Sequence, residues 1–290
     1  MKIARPLTTS KTLEALEILA PLDESTIRAP HSEVDAAERP IPSGAELANK
    51  KPAPAGVMTL LGVRVRPEAL LAKRFDEIER LVKSGETVHC VFDLDNTLFD
   101  TRGRTLHALT VFDRENGTSY AVGLDVRSMG EDGRKTAIGL GLPDDVVERI
   151  GVVWDREFWD PANLVHDGLM PSIELVKEAQ ERGAQVVFLT GRTEDHGFRE
   201  PTRAQLARAG IDVPDERLLL KPSIEARTAP YKLAQMVAME ATLGFFLTEG
   251  RRDMDHLSTS IPGFIGFLLD ATFERGGPAC AGVPVLPRIF

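Results

Sequence analysis

From Pro67 onward the hydrophobic positions switch between two periods. Leu70, Leu71, Phe75, Ile78, Leu81 and Val82 recur at helical spacing behind Pro67, a favourable first helical residue, and Gly85 closes the run. Residues 87–94 then form a continuous apolar, β-rich stretch, as expected of a strand buried on both faces. Comparable runs follow at 185–189, 217–220, 244–247 and 264–269. Helical patterns lie between them at 172–182, 200–209 and 231–241. Strands alternating with helices predict an α/β fold, a parallel sheet covered by helices on both faces.

Two intervals depart from this alternation. Between residues 102 and 166 only helical patterns occur: Leu106, Leu109, Val111 and Phe112 in one, and Val146, Val147, Ile150, Trp154 and Phe158 in another. The second is opened by Pro143, with Asp144 and Asp145 in its first turn. This predicts a helical insertion after the first strand of the sheet, with Trp154 and Trp159 packing its own core. Residues 1–66 carry prolines at 6, 21, 30, 40, 42, 52 and 54 and lack strand signals. They predict a Pro-rich N-terminal extension, partly disordered, with at most a short amphipathic helix over 11–20. The expected division is 1–66 extension, 67–101 with 167–290 core, and 102–166 insertion.

Composition narrows the class. A net charge of −9 over 290 residues supplies no long-range attraction to nucleic acid or to an anionic membrane, although Arg102 and Arg104, or Arg251 and Arg252, could form a local basic patch. With only two cysteines, Cys90 and Cys280, a disulfide scaffold is excluded and a reducing compartment fits; Cys90 reads as a buried packing residue. No apolar run approaches the roughly 18 residues needed to span a bilayer, and residues 1–10 have no apolar stretch behind their basic residues, so a cytoplasmic protein is expected.

The candidate chemistry sits where the apolar strands end. In Val91-Phe92-Asp93-Leu94-Asp95-Asn96-Thr97, two carboxylates stand two residues apart at a strand terminus, pointing the same way if the strand continues. Such a pair is costly unless a cation or a proton compensates it, and magnesium with oxygen ligands is the natural cation. An Asp-Asn surface turn is the bland alternative, weakened because the run starts inside an apolar strand. Thr190 and Gly191, at the end of the 185–189 strand, offer a hydroxyl and a backbone N–H to a phosphate oxygen, although strand–Thr–Gly is also an ordinary exit. Lys221 and Lys232 are the two lysines able to neutralise a phosphate and hold a carboxylate ionised. Glu249 and Asp253 follow the strand at 244–247, and either could complete an oxygen shell around a metal. His107, His166 and His196 lack metal-ligand spacing.

In order, these four signals resemble the haloacid dehalogenase superfamily of phosphohydrolases, over about residues 87–270. The resemblance implies a Rossmann-like three-layer sheet with a helical cap inserted after the first strand, and Mg2+ as cofactor. It implies Asp93 as a nucleophile that also binds the metal. It implies Asp95 as acid/base, with its carbonyl on the metal, Thr190 and Thr97 on the phosphate and the turn, and Glu249 and Asp253 on the metal. Thr248-Glu249 departs from the Asp expected there, which leaves the direct ligand open between Glu249 and Asp253. The stretch from Leu218 to Lys232, with Thr190-Gly191-Arg192, is similar to phosphatase domains of the polynucleotide kinase-phosphatase type. That likeness favours Lys232 over Lys221 as the catalytic lysine and leaves Gly191, Arg192 and Lys221 as substrate contacts.

The leading expectation is a magnesium-dependent phosphomonoesterase acting on a small phosphorylated substrate, with a phosphorylated nucleic-acid end as a further option. Phosphotransfer to a second substrate uses the same nucleophile. Dehalogenation fits less well, because it needs no acid such as Asp95. A binding or regulatory protein on an enzyme-like fold is the reading from another class.

Overall fold

A computed structural model describes residues 58–60, 63–239, 241–270 and 283–287; the expectations for 1–57 and for Cys280 lie outside them. An antiparallel hairpin pairs β1 (Met58–Leu60) with β2 (Val63–Val65), a correction to the reading of residues 1–66 as strand-free. Prolines upstream mask a short run of β-compatible residues there. Helix α1 (Pro67–Lys83) follows and buries Leu71, Phe75 and Ile78.

The sheet has six strands, all parallel: β3 (Val88–Phe92), β6 (Gln185–Thr193), β7 (Leu218–Lys221), β8 (Thr242–Thr248), β9 (Gly266–Leu269) and β10 (Val285–Leu286). Their order is β10-β9-β8-β3-β6-β7. From β3 the chain builds outward through β6 and β7, then returns to the other side of β3 for β8, β9 and β10. The order therefore reverses between β3 and β8, the point at which an open α/β sheet leaves a crevice at its strand ends.

Alternate side chains explain why the strands read as continuous apolar runs. Phe92, Phe188, Phe245, Leu247 and Phe267 enter one core, shared with α1, α5 (Ile173–Glu181) and α6 (Arg199–Arg208). Val91, Val187, Leu189, Phe246 and Leu268 enter the other, beneath α7 (Thr228–Ala238) and α8 (Arg251–Ser260). Helix α7 begins three residues earlier than its apolar pattern, because Pro230 is tolerated in a first turn. Helix α8 was not expected: only Met254 and Leu257 of its ten residues are buried, too little to raise a period in the sequence.

The interval after β3 holds a two-residue strand β4 (Phe99–Asp100), then α2 (Arg102–Asn116), α3 (Gly133–Gly139) and α4 (Asp144–Phe158), and returns through a 3-10 turn to β5 (Gly168–Leu169). Leu109, Val111, Phe112, Ala137, Val147, Ile150 and Val153 give these helices a core of their own. Trp154 stacks on Phe158 at 4.3 Å within the insertion. Trp159 does not join that core: it packs edge-on against Phe198 of the main body at 6.2 Å. Its position at the end of α4, where the chain turns back to the sheet, accounts for the difference. Among the described residues no helix is long and apolar enough to cross a membrane.

Phe245 meets Phe75, Phe92 and Phe267 edge-on at 5.5, 5.4 and 5.8 Å and is fully buried. Phe245→Ala is expected to lower unfolding free energy by about 3–5 kcal/mol, measured by denaturant titration.

Candidate active site

Beyond Phe92 the chain turns sharply. Leu98 and Phe99 donate back to the Leu94 carbonyl at 2.8 and 3.0 Å, and Asn96 takes a left-handed conformation with φ of 55°. Strand periodicity ends there, so Asp93 and Asp95 diverge instead of pointing the same way. Each meets a different set of cations.

Asp93 faces α7 and β8. Its Oδ2 accepts from Lys232 Nζ at 2.7 Å and from Thr248 Oγ1 at 2.9 Å, and its Oδ1 accepts from the Leu94 N–H at 2.8 Å. Lys232 also donates to Asp253 Oδ2 at 2.6 Å. Burial alone would lower the Lys232 pKa, but Asp93 and Asp253 outweigh it and push it up to about 12. Burial raises the Asp93 pKa; Lys232 opposes that rise and the Asp253 charge reinforces it.

Asp95 faces the insertion and β6. Its Oδ1 accepts from Arg104 Nη2 at 2.5 Å and from Arg192 Nη2 at 2.8 Å. Arg104 donates through Nε to Asp167 Oδ1 at 2.6 Å, and Gln205 Nε2 donates to Asp167 Oδ2 at 3.0 Å. Arg192 Nη1 donates to Thr202 Oγ1 at 3.0 Å and to Gln205 Oε1 at 2.7 Å. Burial alone would raise the Asp95 pKa, but the two guanidinium groups hold its carboxyl well below the usual carboxylate range. Burial pushes Asp167 the other way. Both arginines are fully buried. Arg104 lies at the start of the insertion and Asp167 at its end, so this ion-pair box ties both crossings of the insertion to the strand that carries Arg192.

The remaining expected residues fall into three places. Thr97 is fully buried; its hydroxyl accepts from the Glu249 N–H at 3.1 Å, which braces the turn against the end of β8. Thr190 is also buried, its Oγ1 accepting from the Arg192 N–H at 3.2 Å, which leaves its proton for another acceptor, and Gly191 packs beside Thr228 at the head of α7. Lys221 donates to the Ile224 carbonyl in its own turn, at 3.3 Å, while Lys232 is the lysine brought to Asp93. Arg192, expected on substrate, donates to Asp95, Thr202, Gln205 and Asp167. The suggested basic patch does not form from Arg102 and Arg104: Arg102 is buried against Asp100 at 2.9 Å, and Arg104 is inside the box. Asp167, Thr202, Gln205 and Thr248 were missed. Their partners lie 10 to 155 residues away, and no local spacing marks them.

The Asp93 side suits a hard cation. Asp93 and Asp253 share one ammonium, so carboxylates outnumber the lysine there by one. Among the described residues no group of three or more His, Cys, Asp or Glu converges as a metal cage. A cation here would draw on one or two carboxylates, the Asp95 carbonyl, water and substrate oxygens, which is the habit of magnesium.

A family profile described as HAD superfamily, subfamily IIIB (acid phosphatase), matches residues 154–249. No curated protein matches. Among solved structures, protein tyrosine kinase A of Mycobacterium tuberculosis is 16% identical, with a TM-score of 0.49, over 71% of this chain and 94% of that one. A haloacid dehalogenase-like hydrolase of Streptococcus pneumoniae is 16% identical, with a TM-score of 0.47, over 70% and 94%. A class C acid phosphatase of Bacillus anthracis is 15% identical, with a TM-score of 0.36, over 64% of each chain.

Removing one member of the ion-pair box strands a buried charge. Arg104→Met is expected to cost about 3–5 kcal/mol of stability in denaturant titration, and the double variant Arg104→Met/Asp167→Leu to recover part of the loss. Next to the box, the His107 and His166 rings stack at 4.0 Å, with Glu157 3.6 Å from His107. Burial, then the His166 ring, lowers the His107 pKa. The unfolded chain therefore binds the proton more readily. The contribution of His107 to stability is complete above its unfolded value of about 6.5 and is lost as pH falls from there through the lower folded value. Thermal melts between pH 7.5 and 5 are expected to show this decline, and His107→Gln to flatten it.

Proposed function

We propose that this chain, a member of the haloacid dehalogenase superfamily and a hydrolase of the phosphatase type, is a magnesium-dependent phosphomonoesterase that works through an aspartyl-phosphate. The observation that carries the reading is the Asp93–Lys232–Asp253 cluster at the reversal point of the sheet. It puts a positioned carboxylate, a charged lysine and a second carboxylate at one strand end.

In this reading an Asp93 oxygen attacks phosphorus while the bond to the leaving oxygen breaks. Lys232 neutralises the transferring phosphoryl group, and Thr190 with the Gly191 N–H binds its oxygens. Asp93, the Asp95 carbonyl and Glu249 or Asp253 would hold magnesium, which when bound would supply charge stabilisation on the phosphoryl oxygens. Water then attacks phosphorus and frees Asp93.

Asp95 is assigned the proton transfers. It is the acid for the leaving alcohol and then the base for water, worth roughly a hundred- to ten-thousand-fold. A carboxylate gripped by Arg104 and Arg192 has no proton to give, so Asp95 must leave the box before it acts. Arg104 sits at the start of the insertion, so movement of the insertion would withdraw one of the two guanidinium groups that hold Asp95, while Arg192 stays with β6. We accordingly assign residues 102–166 as a cap that closes over bound substrate and excludes water, and 67–101 with 167–290 as the catalytic core. The substrate is assigned only as a small phosphomonoester, and the scarcity of cysteine supports a reducing, cytoplasmic location.

The test is phosphate release from a panel of sugar phosphates, nucleotides, aryl phosphates and 3′-phosphorylated oligonucleotides, with magnesium and with chelator. Magnesium-dependent release is expected, falling by about 10⁴-fold or more in Asp93→Asn. Turnover that survives Asp93→Asn intact overturns the mechanism, and no release from any member by folded protein overturns the activity.

A further inference from the structure

We infer that Thr248 is a positioning residue for the Asp93 carboxylate, a role that rests on the reading of Asp93 as nucleophile. Thr248 closes β8 and is fully buried. Its hydroxyl accepts from the Gly250 N–H at 2.9 Å and stands 2.9 Å from Asp93 Oδ2. An amide N–H only donates and an ionised carboxylate only accepts. The single hydroxyl proton is therefore aimed at Asp93, and the turn into α8 fixes that aim.

Three donors hold the Asp93 carboxylate, and they differ in rigidity. The Leu94 N–H belongs to the same turn as Asp93 and fixes only Oδ1. Lys232 reaches Oδ2 on a long stem and is shared with Asp253. It is also the cation that an incoming phosphate competes for. Thr248 alone combines a short β-branched side chain, held near one rotamer, with a place in the ladder beside Asp93. Phe92 is in register with Leu247, and the Asp93 N–H donates to the Leu247 carbonyl at 2.9 Å, so the two strand ends cannot slide apart without breaking the sheet.

When Lys232 turns toward substrate, Thr248 is the donor that stays on Oδ2, opposite the Leu94 N–H on Oδ1. It keeps the plane of the carboxylate fixed while phosphorus approaches in line. Gly250 is part of the device: a Cβ there would stand 3.2 Å from both Thr248 Oγ1 and Asp253 Oδ2, crowding the turn that orients the hydroxyl. The Thr248 proton is not transferred at any step. Its contribution is alignment of the attacking group, for which a misplacement of about 1 Å costs on the order of 10²-fold.

The experiment compares Thr248→Val, Thr248→Ala and Thr248→Ser with wild type, using a phosphomonoester that wild type turns over, and Asp93→Asn as control. Circular dichroism and thermal melts establish the fold of each. Valine keeps the shape and removes the hydroxyl; alanine removes both; serine restores the hydroxyl. The expected result is a kcat lowered by about 10- to 100-fold in Val and Ala with KM changed far less, and recovery toward wild type in Ser. Wild-type kcat in folded Val or Ala overturns the inference. So does a kcat loss that tracks loss of fold across the three variants, because the hydroxyl then serves the strand and not Asp93. Persistent turnover in Asp93→Asn instead overturns the reading beneath it, so the two failures are distinct.

Discussion

Four carboxylates, Asp93, Asp95, Asp167 and Asp253, are gathered at one end of one parallel sheet, where burial makes each charge expensive. Much of the surrounding architecture can be understood as the response. Lys232 is brought in by α7 and Arg192 by β6, while Arg104 comes from the first turn of α2. None of these cations could be omitted without stranding a buried charge. The turn after β3 keeps the first two carboxylates from facing each other, at the cost of a left-handed Asn96.

The division has a structural consequence. The Asp93 side is assembled from β3, β8, α7 and α8, all parts of the main body. The Asp95 side borrows Arg104 and Asp167 from the two ends of the insertion. Around that seam the backbones are pressed together: a Cβ at Gly103 would lie 1.8 Å from the His166 carbonyl oxygen, and β4 pairs with β5 directly beneath. One half of the site is thus rigid with the sheet, and the other depends on where the insertion sits.

This division also explains what could be read in the sequence. Buried parallel strands announce themselves as apolar runs, so β3 and β6 to β9 were legible within a few residues, as were the carboxylates and lysines at their ends. The hairpin at residues 58–65 and β10 were not, because their strands are only two or three residues long, nor was the polar helix α8, because only Met254 and Leu257 of it are buried. The ion-pair box was illegible for another reason. Arg104 and Asp167 are 63 residues apart, and Asp95 and Arg192 are 97 apart, so their pairing is decided by topology and not by local pattern. In the sequence Thr248 was only the neighbour of Glu249, the residue that departs from an expected Asp. Its meaning depends on the register that sets β8 beside β3, and no single strand contains that information.

On the Asp95 side two guanidinium groups face two carboxylates, and the box is neutral. On the Asp93 side one ammonium faces two carboxylates. A cation entering the crevice therefore finds its attraction on the side of Asp93, the nucleophile in the proposed mechanism. A dianionic phosphate entering without a cation would meet that surplus negative charge directly and be repelled. On the proposed function, that asymmetry would favour magnesium on the Asp93 side and would make phosphate binding depend on it, whatever the attached alcohol.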